Sequence, residues 1–402
     1  MPTPLHVALA PFAIAFATTF VLAPQVRKFA IQCRVTDKPN GRKLHPHAIP
    51  HFGGVAIFGG FFLALLVALA THPGPELAGR VLALLPSLLI LFGLGLVDDL
   101  RGLRAGVKLV YQVLAAVCAV AMGAGFQVLL VGDAWAYALA AVVAILWYVG
   151  VCNSINLIDG LDGLAAGTAT IASAAFLVVA WRVGDPAVAV ICTGLAGALL
   201  AFLRYNFHPA RIFMGDTGSM FVGLTLGALA CLLAEHVGMW TALLGSATIL
   251  GVPIMDTAAA IVRRLAAGRH IFEADGEHTH HRLMRIGLSH RGAVLSLYGL
   301  EIVFAVLGCA VFAGFQRGFG LAVALGVATA SALAWKARRM PLQVTPRPAV
   351  HPSPAWSATR ARAIPEPIPQ RVVPVVRDHV VADDVLTPLP TVAGPVRAQT
   401  RA

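Results

Sequence analysis

The chain has 402 residues, of which 58% are hydrophobic and only 12% are charged. A soluble domain carries about 25% charged residues, so this composition excludes an ordinary soluble protein. The net charge of +11 does not indicate a nucleic-acid partner, because the Lys and Arg residues lie between apolar runs and not along one face. The six cysteines are scattered without a CxxC pair, which indicates neither a disulfide framework nor a zinc site.

Eleven apolar runs predict transmembrane helices, since about 20 residues are needed to cross the hydrocarbon core of a bilayer. The fold class is therefore an all-α polytopic membrane protein. No Lys or Arg precedes the first run, whereas Arg27 and Lys28 follow it, so we expect the N-terminus to lie outside. The runs cover residues 4–24, 53–71, 81–97, 107–125, 135–152, 163–181, 186–203, 218–236, 240–262, 292–312 and 319–335.

The distribution of basic residues supports this orientation. Loops assigned to the inside carry seventeen Lys and Arg residues, and loops assigned to the outside carry three. Such a bias is typical of the positive-inside rule. Residues 341–402 hold twelve of the 25 prolines and few aromatic residues. We therefore predict a transmembrane domain over 1–335 and a disordered, Pro-rich cytoplasmic tail over 336–402.

Five polar clusters interrupt the apolar sequence, and the predicted topology places all five at the cytoplasmic face. Carboxylates, amides and basic groups gathered at one membrane face suit an enzyme that joins a charged water-soluble substrate to a lipid. The clusters are DKPNGRK (37–43), VDDLRGLRAGVK (97–108), NSINLIDGLDGLAAG (153–167), RYNFHPARIFMGDTGS (204–219) and HIFEADGEHTHHRLMR (270–285).

Two adjacent carboxylates, Asp98 and Asp99, end the third apolar run. At a bilayer edge they repel each other and are costly to desolvate, so they need a cation or a proton-transfer role. A solvated helix end is the alternative. Lys108 begins the next run, where its ammonium could meet the phosphate of a lipid.

The third cluster spaces four polar residues by three, which predicts that they share one face of a helical turn. Such a face indicates binding of a divalent cation or a nucleobase. A calcium-binding EF-hand is disfavoured, because the DxDxDG spacing and the closing Glu are missing. The four residues are Asn153, Asn156, Asp159 and Asp162.

Asp216 lies between two glycines at the start of the eighth run, with Ser219 as the expected N-cap. A helix N-terminus with free backbone N–H groups suits phosphate, and the carboxylate suits Mg2+ bridging to it. An ordinary capped helix is the alternative. Just before it, Asn206 and Phe213 offer an amide for a base edge and a ring for a base face.

Histidines and arginines are concentrated in the last cluster, which predicts anion binding, since a diphosphate needs several donors and positive charge. Zinc is disfavoured because HxHH directs adjacent side chains apart. Asp256, near the cytoplasmic end of the ninth run, could join the site. Glu301, near mid-membrane, is a functional candidate by its depth, with a hydrogen-bonded structural Glu as the alternative. The cluster residues singled out are His278, His280, His281 and Arg282.

In this order, the motifs resemble those of the polyprenyl-phosphate N-acetylhexosamine-1-phosphate transferases, the superfamily of the peptidoglycan lipid I translocase. The resemblance covers about residues 1–335 and rests on DKPN, LVDDL, NxxNxxDGLDGLAAG, YNxxPARIFMGDTGS, VPxxD and HxHHRL. It implies a Mg2+-dependent reaction, with Mn2+ as the alternative ion. A UDP-N-acetylhexosamine and undecaprenyl or decaprenyl phosphate would give a lipid diphosphate sugar and UMP. It also implies a bacterial plasma membrane protein and leaves a homodimer open.

The resemblance further implies a role for each matching residue. Asp98 and Asp99 would handle the lipid phosphate, one of them as general base, and Lys108 would help to hold it. Asp216 and Asn156 would ligate Mg2+. The uridine would be bound by Asp159, Asp162, Asn206 and Phe213. The diphosphate and the sugar would be contacted by the loop that carries His278, His280, His281 and Arg282. The substrate site would be completed by Asn153 and Asp256.

The sequence EHTHHRLMRIG resembles the N-acetylglucosamine branch and not the peptidoglycan branch, which carries three successive histidines. UDP-GlcNAc is therefore favoured over the UDP-MurNAc peptide, although LRGLRAG and FEADGEH depart from the usual patterns. The expected product is the first lipid intermediate of a cell-envelope polysaccharide. Two rival classes fit less well. An aromatic prenyltransferase needs two DxxxD motifs, and a transporter needs polar groups at mid-membrane.

Overall fold

Helices make up nearly all of the computed structural model, which describes residues 5–37, 48–72, 74–126, 134–268, 278–315 and 317–339. A single two-stranded antiparallel sheet in these ranges pairs β1 (Thr36–Asp37) with β2 (Ile49–Pro50). The helices are α1 (Leu5–Gln32), α2 (Gly53–Thr71), α3 (Pro75–Arg101), α4 (Ala105–Ala121), α5 (Ala134–Ile158), α6 (Leu164–Val183), α7 (Pro186–Asn206), α8 (Gly215–Val237), α9 (Met239–Ile249), α10 (Gly251–Ala266), α11 (Thr279–Arg285), α12 (His290–Phe312) and α13 (Arg317–Arg339).

Eight of these helices are long and apolar enough to cross a membrane: α1 from Leu9, α2, α3, α5, α6, α7, α8 and α12. The pair α9 and α10 becomes a ninth span if it is counted as one, although it is bent by 85° at Leu250. The all-α polytopic prediction is confirmed. The fourth and eleventh predicted spans correspond to α4 and α13, whose apolar parts are shorter.

Helix ends differ from the predicted ones mainly where polar residues continue a helix. The first helix runs to Gln32 and includes Arg27 and Lys28, and α13 runs four residues past the predicted end of the last span. The rest of the predicted tail, from residue 340, lies outside the described residues. So do most of the first polar cluster and the part of the last one before His278.

Helix α8 occupies the centre of the bundle. Every residue from Thr217 to Ala234 is buried. Neighbouring helices approach its first turn through glycines: a Cβ at Gly54 of α2 would overlap the backbone of Gly218, and a Cβ at Gly95 of α3 would overlap that of Thr217. Such close contacts between small residues are typical of helices packed in a membrane. The last turn of α3 is thereby placed against the start of α8.

The opposite ends of the same helices carry a separate ionic network. Arg80, near the start of α3, contacts Asp185 at 2.8 Å and Glu235 at 3.0 Å. Asp185 also accepts the backbone N–H of Val188 at 2.9 Å, so it is the N-cap of α7, and it bonds His236 at 2.9 Å. This network ties α3, α7 and α8 together at the end remote from Asp216.

Candidate active site

The carboxylate of Asp99 lies on the first turn of α8. Its Oδ1 atom accepts the backbone N–H of Asp216 at 2.8 Å. Its Oδ2 atom accepts the backbone N–H of Thr217 at 3.2 Å and the Thr217 hydroxyl at 2.6 Å. Gly215, with φ at +73°, makes room for this carboxylate, because a Cβ there would lie 2.5 Å from Asp99 Oδ2. Asp99 therefore caps a helix to which it does not belong.

The ammonium of Lys108 lies between two further carboxylates. It contacts both Asp98 and Asp216. The other oxygen of Asp98 accepts the backbone N–H of Leu103 at 2.5 Å, and the other oxygen of Asp216 accepts the Asn156 side-chain amide at 2.9 Å. The ends of α3 and α5 and the starts of α4 and α8 thus meet at one charged cluster, formed by residues that the sequence assigned to one site.

The ligand atoms around Asp216 suit a hard divalent cation. Asp98 and Asp216 already converge on one positive group, and the oxygen of Ser219 lies 2.8 Å from the Asn156 amide nitrogen. Mg2+ commonly binds one or two carboxylates and completes its octahedral shell with water and substrate phosphates. The oxygen atoms of Asp98, Asp216 and Ser219 are of the type that such an ion needs, whereas Asn156 directs its amide nitrogen at Asp216 and Ser219 and would have to turn to offer its oxygen.

Asp159 follows the last turn of α5 and is half-buried. Its partial removal from water raises the pKa of the carboxyl well above the ordinary value, and the neighbouring carboxylates, Asp216 foremost, act in the same direction. A carboxyl that is held among other carboxylates near one membrane face is a group whose charge a ligand or cation would stabilise.

Asn206 is buried, with 1% exposure, and both ends of its amide are used within the protein. Its Oδ1 atom accepts the backbone N–H of Gly163 at 3.0 Å, and its Nδ2 atom donates to the carbonyl of Ile212 at 3.0 Å. That this amide reads a base edge stays a prediction, because both of its ends contact the protein in this arrangement. Asn206 holds two loops of the site together.

Asp162 is likewise turned towards a loop. It accepts the backbone N–H of Ala210 at 3.0 Å and bonds the Nδ1 atom of His208 at 2.8 Å. His290 brings a third ligand atom within 4.8 Å of both. The rings of His208 and His290 are stacked, with centroids 4.0 Å apart and planes 19° apart. Their in-plane lone pairs therefore run side by side and do not converge, so we assign no metal to this cluster.

Asp256 organises the start of the histidine helix α11. It is buried, with 1% exposure, accepts the backbone N–H of Thr279 at 2.6 Å and bonds the Nδ1 atom of His278 at 2.7 Å. Both of its oxygens are thus engaged by the protein. Asp256 and His278, which the sequence placed in the substrate site, are brought together here as a support for α11.

His280 lies against Gly160, where a Cβ would be 3.2 Å from its Nε2 atom. Burial lowers the pKa of His280 to about 3, and the neighbouring His281 acts in the same direction. The imidazole is therefore neutral near pH 7, so His280 does not add to the positive charge predicted for this loop. The positive charge predicted for this loop is carried instead by the partly buried Arg282, which follows His281 in α11.

The ring of Phe213 is partly exposed and lies 5.9 Å from that of His51, centroid to centroid. Its backbone is fixed on both sides, since its N–H donates to Pro50 and its carbonyl accepts from Gly53. The strand that follows the first polar cluster is thereby joined to the fourth cluster.

Three predictions about local geometry are wrong. The four residues of the third cluster do not share a helical face, because α5 ends at Ile158 and the chain then turns. Asn153 contacts Gln112, Asn156 contacts Asp216, and Asp162 contacts His208. The first N–H groups of α8 are also not free for phosphate, since Asp99 accepts two of them, and Ser219 lies inside the helix and does not cap it.

Several residues that shape the site were not singled out from the sequence. Thr217 and His208 lie inside a motif that was recognised, but the spacing alone did not show which of its members hold the loops. Tyr298 donates to the carbonyl of Gly163 at 2.5 Å from the distant helix α12, and no sequence signal marked it. The residues missed are Gln112, His208, Thr217, His290 and Tyr298.

Membrane-spanning helices whose ends bring carboxylates, an ammonium and imidazoles together define a polytopic membrane protein with a polar site at one end of its helix bundle. Residues 81–234 match the model of glycosyl transferase family 4. The chain belongs to this family.

Relatives with assigned functions cover most of the chain. A probable undecaprenyl-phosphate N-acetylglucosaminyl 1-phosphate transferase of Bacillus subtilis (strain 168) is 37% identical over 300 residues, which are 73% of this chain and 82% of the relative. A decaprenyl-phosphate N-acetylglucosaminephosphotransferase of Mycobacterium tuberculosis (strain ATCC 25618 / H37Rv) is 35% identical over 358 residues, and the match covers 82% of this chain and 88% of the relative. A phospho-N-acetylmuramoyl-pentapeptide-transferase of Geobacillus kaustophilus (strain HTA426) is 33% identical over 324 residues, and the match covers 74% of this chain and 95% of the relative.

Proposed function

We propose that the protein transfers GlcNAc-1-phosphate from UDP-GlcNAc to a polyprenyl phosphate and releases UMP. The observation that carries this proposal is the cluster of Asp98, Lys108 and Asp216 at the end of apolar helices, beside relatives named for this class of transfer. The product would be the first lipid intermediate of a cell-envelope polysaccharide. The site would face the cytoplasm of a bacterial plasma membrane protein with eleven spans, an arrangement favoured by the bias of basic residues.

The reaction needs little covalent chemistry from the protein. An oxygen of the lipid phosphate attacks the β-phosphorus of UDP-GlcNAc, a new P–O bond forms, and the bond from that phosphorus to the bridging oxygen breaks. UMP leaves with the bridging oxygen and its electron pair. Phosphoryl transfer of this kind depends on positioning and charge neutralisation. A phosphate monoester is already a nucleophile, so no protein nucleophile is required.

The side chains supply the positioning. Lys108 contacts Asp98 and Asp216, offsets part of their negative charge and would contact the incoming lipid phosphate. Asp99 is occupied as a cap, which makes it an unsuitable base, so Asp98 is the better candidate for any proton that the acceptor phosphate carries. Asp216 and Asn156 would hold Mg2+, which when bound neutralises phosphate charge in the transition state. Phe213, Asp159 and Arg282 would contact the nucleotide and the sugar diphosphate.

A direct assay tests this function. Purified protein in detergent is supplied with Mg2+, undecaprenyl phosphate and one of several labelled UDP-hexosamines, and both UMP and labelled lipid are measured. We expect equimolar UMP and lipid with UDP-GlcNAc. Lipid product from the UDP-MurNAc pentapeptide alone would replace the proposed sugar with that of the Geobacillus relative. UMP release without lipid product would reject the transfer.

An exchange experiment separates the direct route from a covalent one. Labelled UMP and UDP-GlcNAc are incubated with the enzyme without polyprenyl phosphate. Direct attack predicts no exchange of label, because UMP is not released until the acceptor reacts. Exchange at a rate near kcat would instead require a phosphoryl-enzyme intermediate.

A further inference from the structure

The break between α9 and α10 leaves polar backbone groups inside the bundle. The two helices meet at Leu250 and are bent by 85°. The first N–H groups of a helix have no partner within it, and no water is available in the hydrocarbon region to replace one. Leu250, at the N-cap position, has no side-chain hydrogen bond to offer, and Pro253 in the first turn has no N–H.

The missing partner comes from another helix. Glu301 of α12 is fully buried, and its Oε2 atom accepts the backbone N–H of Val252 at 3.0 Å. Its Oε1 atom has no hydrogen-bond partner in the described ranges. A buried carboxyl with a single hydrogen-bond donor is costly, so packing alone does not explain why Glu301 lies here. The start of a helix is a favourable place for it, because the helix dipole there favours negative charge.

Close packing fixes this contact. A Cβ at Gly251 would lie 2.5 Å from a ring carbon of Phe304, which is three residues after Glu301 and therefore on the same face of α12. A Cβ at Gly308 would likewise lie 2.5 Å from the side chain of Ile249. Helix α12 thus lies directly on both arms of the break, with Glu301 directed at its N-terminal turn.

The turn held by Glu301 leads to the candidate active site. Val252 and Asp256 are four residues apart and so lie on one face of α10. Asp256 binds His278 and Thr279 at the start of α11, the helix that carries His280 and Arg282. The direction of α10 therefore determines where α11 lies relative to the charged cluster.

We propose that Glu301 is a positioning residue that fixes the angle between α9 and α10 and, through Asp256, the place of α11. The contact that the proposal depends on is the hydrogen bond from the backbone N–H of Val252 to the Oε2 atom of Glu301. Glu301→Gln keeps an acceptor of the same size, whereas Glu301→Leu leaves the Val252 N–H without a partner and lets the break straighten or splay.

Spin labels on the two arms measure the angle without reference to catalysis. Trp240 and Leu265 are 62% and 60% exposed and lie on opposite sides of the break. With 1.5 Å per residue, their Cα atoms are about 28 Å apart at the observed bend of 85° and would be about 38 Å apart in a straight helix. The experiment uses the full chain, with Trp240→Cys and Leu265→Cys in a background without accessible native cysteines.

We expect Glu301→Leu to shift the distance distribution by several ångströms or to broaden it. We expect Glu301→Gln to give the wild-type distribution. Ser246→Ala, which removes a buried hydroxyl from α9 near the break, is the matched control and should leave the distribution unchanged. An unchanged distribution in a monodisperse Glu301→Leu protein would overturn the proposal. If that variant does not fold, a changed distribution in Glu301→Gln would overturn it, because Gln retains the acceptor.

The kinetic consequence rests on the proposed function. In the transfer assay, Glu301→Leu should raise the apparent KM for UDP-GlcNAc several-fold and leave the KM for polyprenyl phosphate within twofold, because α11 and not Lys108 is displaced. Equal changes in both KM values would contradict the link to α11. A shifted distance with an inactive wild-type protein would reject the proposed function and leave the role of Glu301 in place.

Discussion

Asp99 accepts the backbone N–H of Asp216 at 2.8 Å, so the end of α3 is bonded directly to the first turn of α8. The two carboxylates therefore have different tasks although both belong to acidic motifs. Asp99 fixes the helix, while Asp216 faces Lys108 and Asn156.

Asp216→Asn should abolish turnover, with UMP release reduced at least a thousandfold under saturating Mg2+. The amide lacks the charge that binds a divalent cation and pairs with Lys108. Glu235→Gln, at the far end of the same helix, is the control and should retain wild-type activity. Near-normal UMP release from Asp216→Asn would remove the metal role.

Asp99→Ala should lower the free energy of unfolding by about 1–2 kcal/mol, the range typical of a lost helix cap. The measurement is thermal unfolding in detergent without substrate. Thr217→Val removes one of the same hydrogen bonds and should show a smaller loss. Glu76→Ala, an exposed residue at the other end of α3, serves as the control. Equal melting temperatures for Asp99→Ala and the wild type would contradict the capping role.

Asp159→Asn should stabilise the substrate-free protein at pH 7.5 and change little at pH 4. The pKa of Asp159 is raised in the folded state, so the folded protein binds its proton more tightly than the unfolded chain does. Stability therefore falls as the pH rises from the ordinary Asp range towards the raised pKa, and the amide removes this loss. Melting temperatures at the two pH values measure it, and a lower melting temperature of the variant at pH 7.5 would refute the assignment.

Arg282→Ala should raise the apparent KM for UDP-GlcNAc by about 10- to 150-fold, since a lost hydrogen bond to a charged group costs about 1.5–3 kcal/mol. His280 is neutral near pH 7 and cannot replace the missing charge. Arg317→Ala, exposed at the start of α13, is the control for a general effect of charge. An unchanged KM in steady-state kinetics would remove α11 from the nucleotide-sugar site.

The sequence predicted which residues meet more accurately than how they meet. Asp98 and Lys108 are far from Asp216 in the chain, but each of the three lies at one end of an apolar run, and such ends converge at the membrane face. The pairing of Asn156 with Asp216 was implied by the family resemblance. Asp99 could not be distinguished from Asp98, because its role depends on the close approach of Gly95 to Thr217, which no local pattern reveals.

Local spacing failed where the chain leaves the helix. A spacing of three predicts a shared face only while the helix continues, and α5 ends at Ile158, before Asp159 and Asp162. Asn206 has the sequence context of a ligand-binding amide. Its burial and its two loop contacts depend on the tertiary structure, so the sequence did not reveal them. The 85° bend at Leu250 was likewise hidden, because α9 and α10 together have the length and hydropathy of one straight span.

The stretch of α8 from Thr217 to Ala234 is buried by the surrounding helices. We therefore expect a thinner or stiffer bilayer to act on this stretch only by moving those helices. The ionic network at Arg80 and Asp185 resists that movement at the far end. We therefore expect the geometry of the charged cluster to be the same in micelles of different chain length, which makes detergent-solubilised protein a faithful sample for measurements on this site.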